Sequence, residues 1–195
     1  NKKVRIFKEI LGKPKGKNNR TIKTASLAAR TFSDHDAIIY VTGDPSGIRE
    51  DTRTDQGVND FTQVMRGLRE ENKHGRLKLI KKAPPVSLRG EWLNIILEGN
   101  DPEGWQIEID MGCRKLTEDF IYGLAAEDGS KDKKKILDPD LKVRIEKYHH
   151  LSDAFDYLML AVMKKSYYLH KRGGKGGSTT RPFSSNRVTT SKHSW

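Results

Sequence analysis

"AIIYVTGDPSG", residues 37–47, is a run of apolar and β-branched residues that stops abruptly at Asp44, with Pro45 and Gly47 directly behind. Residues 37–42 have the pattern of an interior strand covered on both faces. D-P-S-G by itself is a good turn sequence, with Asp first, Pro second and Gly fourth. A carboxylate leaving a buried strand also has a second meaning, because sites in open α/β sheets lie at the carboxyl ends of strands.

Outward from this stretch, strand and helix patterns alternate. VRIFKEI (4–10) alternates apolar and charged residues like a half-exposed strand. LGKPKGKNNR reads as a loop. Residues 21–32 predict a helix with Ile22, Ala25, Ala29 and Phe32 on one face. After Asp44 a polar loop leads to a helix of about 16 residues carrying Phe61, Val64, Met65 and Leu68. KLIKKA (78–83) predicts a strand, and Val86, Leu88, Trp92, Leu93, Ile95 and Ile96 a helix over 87–98. WQIEID (105–110) alternates as a strand, and Cys113, Leu116, Phe120 and Leu124 mark a further helix. EDGSKDKKKILDPD is a charged loop or hairpin. The last strong helix starts near Ser152, with Leu151, Ala154, Phe155, Leu158, Ala161 and Val162 as its apolar face. The alternation argues an α/β sandwich.

The 195 residues suffice for one domain with a core. Charged residues reach 32% and the formal net charge is +11, which favours a polyanionic partner, nucleic acid or an anionic membrane. No stretch approaches the roughly 20 apolar residues of a membrane span, and NKKVRIFKEI shows no signal peptide. Cys113 is the single cysteine, so an internal disulfide and a cysteine zinc cluster are both excluded, and a reducing compartment fits. From about Lys171 the chain turns to Gly, Ser, Thr and basic residues without an acid, the composition of a flexible basic tail. The expected organisation is a domain over 1–170 and a tail over 171–195, with Lys171, Arg172, Lys175, Arg181, Arg187 and Lys192 available to DNA phosphates.

HHLSDAFDYL (149–158) is the second chemical clue. Asp153 opens a helix, where the dipole favours an acid for structural reasons alone. His150, Ser152 and Asp153 nevertheless sit together on a helix anchored by an apolar face. A carboxylate there meeting one at a strand end would be repelled, and a divalent cation removes that cost. Hard oxygen ligands suit Mg²⁺ or Mn²⁺. Other features read as structural. GKPKG (12–16) is a basic loop, His35 and His74 are surface residues, and Cys113 belongs to the core. Glu118 and Asp119 are expected to face solvent, and KDKKK (131–135) to be a solvated face.

The ordered set of motifs resembles the nuclease domain of the large terminase subunit of tailed bacteriophages. It comprises Gly43 to Gly47 with Arg49, Val86 to Arg89, Cys113 with Leu116, and His150, Asp153, Ala154 and Tyr157, over roughly residues 1–165. The resemblance implies a ribonuclease H-like mixed central sheet flanked by helices. It also implies a metal-dependent endodeoxyribonuclease that cuts concatemeric double-stranded DNA during packaging of a phage or prophage genome in the host cytoplasm. Asp44 and Asp153 match the second and third metal-binding acids, and His150 matches a histidine that accompanies the third. Mg²⁺ or Mn²⁺ is the implied cofactor. The implied partners are double-stranded DNA and, in the full-length protein, the portal and the small terminase subunit; no membrane is involved.

The pattern departs from the family at the first acid. That acid belongs on a strand before KVRIFKEI, so residues 1–170 are expected to lack the first strands and to cut poorly alone. Asp34 and Asp36 sit in a loop, Glu9 is on the wrong strand, and Asp156 is an extra ligand or a solvated side chain. No G-x-x-x-x-G-K-[ST] motor motif occurs. The alternatives are a DNA- or portal-binding module with an incomplete nuclease, or another ribonuclease H-like nuclease such as a resolvase.

Overall fold

The computed structural model describes residues 2–12, 20–49, 57–133, 135–137, 142, 144–146 and 148–173. The predicted basic tail lies outside these residues from position 174 onward, as does most of GKPKG. Lys171 and Arg172 are described, and they belong to a helix.

The chain is mixed α/β. Strand β1 (Lys2–Ile6) pairs in parallel with β4 (Trp105–Ile109), so that Val4 faces Ile107. Strand β2 (Ile39–Val41) pairs in parallel with β3 (Gly75–Leu77). Strands β5 (Lys135–Leu137) and β6 (Arg144–Glu146) form an antiparallel hairpin. Six helices accompany them among the described residues: α1 (Thr21–Thr31), α2 (Asp60–Glu70), α3 (Val86–Leu97), α4 (Arg114–Tyr122), α5 (His150–Val162) and α6 (Lys164–Gly173). The described strands pair only two by two and do not join into one central sheet.

The main core lies among α3, α4, α5 and α6, backed by β1 and β4. Trp92, Leu93 and Ile96 of α3 meet Leu116, Phe155, Met159, Leu160, Met163 and Tyr167, with Cys113 fully buried among them. The Trp92 and Tyr167 rings pack edge to face at 5.4 Å. The indole N–H of Trp92 donates to Ser166 Oγ (2.9 Å), whose hydroxyl donates to Asp101 (2.6 Å). The buried polar groups are thereby paired, as a dry core requires.

Helices α1 and α2 pack on each other separately. Gly67 allows the close approach: a Cβ there would lie 2.5 Å from the Ile22 carbonyl and 2.7 Å from Ala25 Cβ. Ser26 Oγ donates to the Gly67 carbonyl across the same contact (3.2 Å).

Several expectations change. The strand at 37–42 is neither long nor covered on both faces: β2 spans three residues and Tyr40 is 61% exposed. Its ladder ends where β2 turns toward Asp44, and Lys78 N donates to Val41 O as the last rung (2.8 Å). The partner strand therefore precedes KLIKKA rather than lying within it. Helix α2 has 11 residues, not 16, because a capping box between Asn59 and Thr62 starts it and a left-handed Asn72 (φ 56°) follows its end. Leu124 lies beyond α4 and is exposed. On α5 the buried face is Ser152, Phe155, Asp156, Met159, Leu160 and Ala161; Ala154 and Val162 point outward.

Candidate functional site

Asp44 leaves β2 and caps a single 3-10 turn, Pro45–Ile48. Its carboxylate accepts from the Ser46 amide at 2.8 Å, so the turn reading of D-P-S-G holds locally. This hydrogen bond, helped by the Tyr157 hydroxyl and the Arg89 charge, keeps the carboxyl below its ordinary range. The side chain stays exposed. Tyr157, on α5 one helical turn beyond Asp153, is the residue of that helix that helps keep this carboxyl ionised. Residues four apart share a helix face, so Tyr157 and Asp153 lie on the same side of α5.

Asp153 sits in the first turn of α5 and is partly buried. Two lysines of the 124–133 segment hold it: Lys131 Nζ at 3.1 Å and Lys133 Nζ at 2.6 Å. Burial opposes its charge, yet these lysines outweigh burial and leave its carboxyl below the usual range. Lys131 also reaches Asp156 at 3.0 Å and Ser152 Oγ at 3.1 Å. Asp156 is buried, not solvated, and burial pushes its carboxyl up despite Lys131 and Arg89. The segment bearing the lysines folds back on itself, with Ala125 bridged to Lys131 and a turn closed by Gly129 N donating to Ala126 O (2.9 Å). Lys131 and Lys133 therefore belong to the site, not to a solvated face.

Arg89 of α3 completes the cluster. It is 4% exposed, stacks its guanidinium over the Tyr157 ring at 5.0 Å, and approaches Asp156 at 4.0 Å. Its Nε and Nη1 have no hydrogen-bond partner among the described residues. The face of the ring and the neighbouring carboxylate offset the cost of burying this charge.

His150 is the first residue of α5 and is exposed. Its neighbour His149 is buried, left-handed (φ 80°), and pressed against Gly123. A Cβ at Gly123 would lie 2.6 Å from His149 Cε1 and 2.3 Å from the Asp119 carbonyl. His149 caps α5 with no side-chain hydrogen bond. Asp119 supplies the cap from α4: its Oδ2 accepts from Leu151 N and Ser152 N, each at 3.0 Å. Asp119 is thus buried and structural, contrary to the expected solvent exposure; caps of this kind contribute about 1 kcal/mol. Glu9 caps α4 in the same way through Lys115 N and Leu116 N, both at 3.0 Å, and lies past the end of β1.

Sequence reasoning missed Lys131, Lys133, Arg89 and Asp119 as members of this neighbourhood. Two had a readable signal. Arg89 lies three, four and seven residues before Trp92, Leu93 and Ile96, on the apolar face of α3. Asp119 lies three after Leu116 on α4. Lys131 and Lys133 are two apart, and the signal that they turn toward Asp153 is absent from their own segment.

As a metal centre the donor set is half built. Asp44 and Asp153 offer the hard oxygens that Mg²⁺ or Mn²⁺ takes. Among the described residues no three His, Cys, Asp or Glu side chains gather as a group able to hold an ion. Lysine ammoniums neutralise Asp153 and Asp156. No helix among the described residues is long and apolar enough to cross a membrane. Comparison with protein-family models, with curated proteins and with solved structures found no match to this chain.

Proposed function

We propose that this chain is the nuclease domain of a DNA-packaging terminase large subunit, a ribonuclease H-like endodeoxyribonuclease that cuts concatemeric double-stranded DNA. The observation that carries the reading is that Tyr157, which helps hold the carboxyl at the end of β2 below its ordinary range, lies on α5 four residues after the acid that opens that helix. An acid at a strand end and an acid opening a helix are what the motif order in the sequence leads one to expect of such a site.

In this proposal Asp44 and Asp153 hold Mg²⁺ or Mn²⁺ together with a third acid on a strand upstream of KVRIFKEI. When bound, the cation supplies an activated water and stabilises the leaving oxygen of the phosphodiester. The Ser46 amide orients Asp44; Lys131 and Lys133 keep Asp153 charged at neutral pH. Lys133, 46% exposed, offers its charge to a DNA phosphate. His150, exposed at the mouth of α5, is placed to handle a proton. The wider chain contacts DNA through its net charge of +11 and meets the portal and the small subunit in the assembled packaging machine of a phage or prophage, in the host cytoplasm.

A second reading has its own observation. Lys131 and Lys133 neutralise the α5 acids, which suits a DNA- or portal-binding module in which these carboxylates hold structure rather than metal.

Plasmid cutting in Mn²⁺ and Mg²⁺ separates the two. A chain extended upstream through the strand bearing the first acid is expected to nick and linearise plasmid, residues 1–195 to cut poorly, and the extended Asp153→Ala variant not to cut at all. Full activity of the Asp153→Ala protein overturns the nuclease reading. DNA binding without cutting in every form favours the module.

A further inference from the structure

We propose that Lys131 is a tethered counter-ion that latches the site shut: its ammonium fills a seat of three oxygens on α5, from Ser152, Asp153 and Asp156, and has to leave with its turn before a divalent cation reaches Asp153. The inference rests on the nuclease reading only for the identity of the incoming cation; the latch itself stands on the contacts around Lys131.

The seat follows from helix spacing. Ser152 and Asp156 are four apart, and Asp153 and Asp156 three apart, so the three side chains meet on one side of α5 near its start. An ammonium carries three N–H donors. Lys131 Nζ lies 3.1 Å from Ser152 Oγ, 3.1 Å from Asp153 Oδ1 and 3.0 Å from Asp156 Oδ2, one oxygen for each donor. Lys133 Nζ holds the other Asp153 oxygen at 2.6 Å. Both oxygens of Asp153 are thus covered by ammoniums from one turn. Mg²⁺ binds oxygen at about 2.0–2.1 Å, inside the space these nitrogens occupy, and cations so close repel. Metal and lysine therefore exclude each other at Asp153.

The turn that carries the lysines can move as one piece. Its backbone hydrogen bonds close within it: Ala126 N donates to Ser130 O (2.7 Å), Gly129 N to Ala126 O (2.9 Å) and Asp132 N to Leu124 O (2.8 Å). None of residues 124–133 is buried. Arg89 supplies the open arrangement. It is buried, its Nε and Nη1 have no hydrogen-bond partner among the described residues, and Nη1 stands 4.0 Å from Asp156 Oδ2, too far for a hydrogen bond. Asp156 is therefore flanked by two cations and bonded to one. When Lys131 withdraws, a small rotation brings Asp156 onto Arg89 and satisfies a buried N–H. Opening the latch thus leaves no buried carboxylate unpaired. Asp153, the more exposed of the two carboxylates, is then free to take a cation.

The test uses the 1–195 chain and its Lys131→Met and Lys133→Met variants, with Mn²⁺ alone as the probe. Methionine keeps an unbranched apolar stem and removes the charge. Mn²⁺ affinity, read by water-proton relaxation, is expected to rise about tenfold or more in Lys131→Met and less in Lys133→Met, which frees one Asp153 oxygen only. In the parent, amide hydrogen exchange over 124–133 is expected to quicken when Mn²⁺ is added, with α3 and α5 protection unchanged. Affinity in Lys131→Met equal to or below that of the parent overturns the latch. Should Lys131→Met not fold, exchange over 124–133 in the parent decides alone, and rates identical with and without Mn²⁺ overturn it. Cutting by the upstream-extended chain alongside either of those results removes the latch and leaves the nuclease. Tighter Mn²⁺ binding in Lys131→Met, with no cutting in any form, leaves the latch and removes the nuclease.

Discussion

Helices α1 and α2 meet through small residues, whereas α3, α4, α5 and α6 meet through large ones. In the first region Gly67, Ala25 and Ser26 bring two backbones together, and Phe61 and Leu68 of α2 supply the larger buried side chains. In the second, Trp92, Phe155, Met159, Met163 and Tyr167 interlock around Cys113. Buried apolar area is the main source of stability, so the second region is the firmer. The candidate acids are divided between them. Asp153 belongs to the firm region; Asp44 hangs from β2, beside α2. A site assembled this way has one fixed wall and one wall that must be docked.

Trp92→Ala should have the largest effect. It empties the volume of an indole at 1% exposure and removes the donor to the Ser166 hydroxyl, for an expected loss of about 3–5 kcal/mol. Denaturant titration followed by circular dichroism checks it. A loss confined to α1 and α2 in hydrogen exchange would contradict the division drawn above.

Gly67→Ala comes next. The added methyl meets the Ile22 carbonyl, so α1 and α2 must part, at an expected cost of about 1–3 kcal/mol. Exchange should quicken in α1 and α2 and leave α5 protected. Equal loosening of α5 would show that the two regions unfold as one unit.

Asp153→Asn is the smallest, about 1 kcal/mol near neutrality for partly exposed ion pairs. The folded carboxyl is held below its unfolded value of roughly 3.9. Its contribution is therefore whole above that value and fades as pH falls through the lower folded one. Asp156 has the opposite sign: burial raises its carboxyl, so the folded state gains relative stability as protonation sets in. Melting curves of the parent and Asp153→Asn proteins should converge below about pH 4. A constant gap down to pH 2 would show that packing, not charge, accounts for the difference.

The alternation of elements was legible because apolar spacing is a local signal. Helices α1, α3 and α5 lie within a few residues of their predicted places, since Ala25, Trp92 and Phe155 each recur at helical spacing with apolar neighbours. The sheet was not legible. Whether 37–42 is interior depends on which strands lie beside it, and that is a fact about distant segments. The same limit applied at the site. Asp44 and Asp153 stood out as acids at element ends, but their neutralisation by Lys131 and Lys133 is a tertiary contact from a segment that reads as surface. The face of α5 was misjudged for a related reason: Asp156 was read as an extra ligand or a solvated side chain by its charge, although it falls four before Leu160 on the buried side.

The cap that α4 lends to α5 has a consequence for anyone mapping this site by mutation. An acid-by-acid alanine scan would find Asp119 essential and rank it with Asp153, because losing either disturbs the turn that carries His150, Ser152 and Asp153. The two losses have different origins. Asp119 contributes an acceptor oxygen to two amides and no donor atom to a cation. Asparagine keeps that oxygen, so Asp119→Asn should behave nearly as the parent where Asp119→Ala fails; a metal ligand would tolerate neither. Without that second substitution, a scan would count a splint as part of the blade.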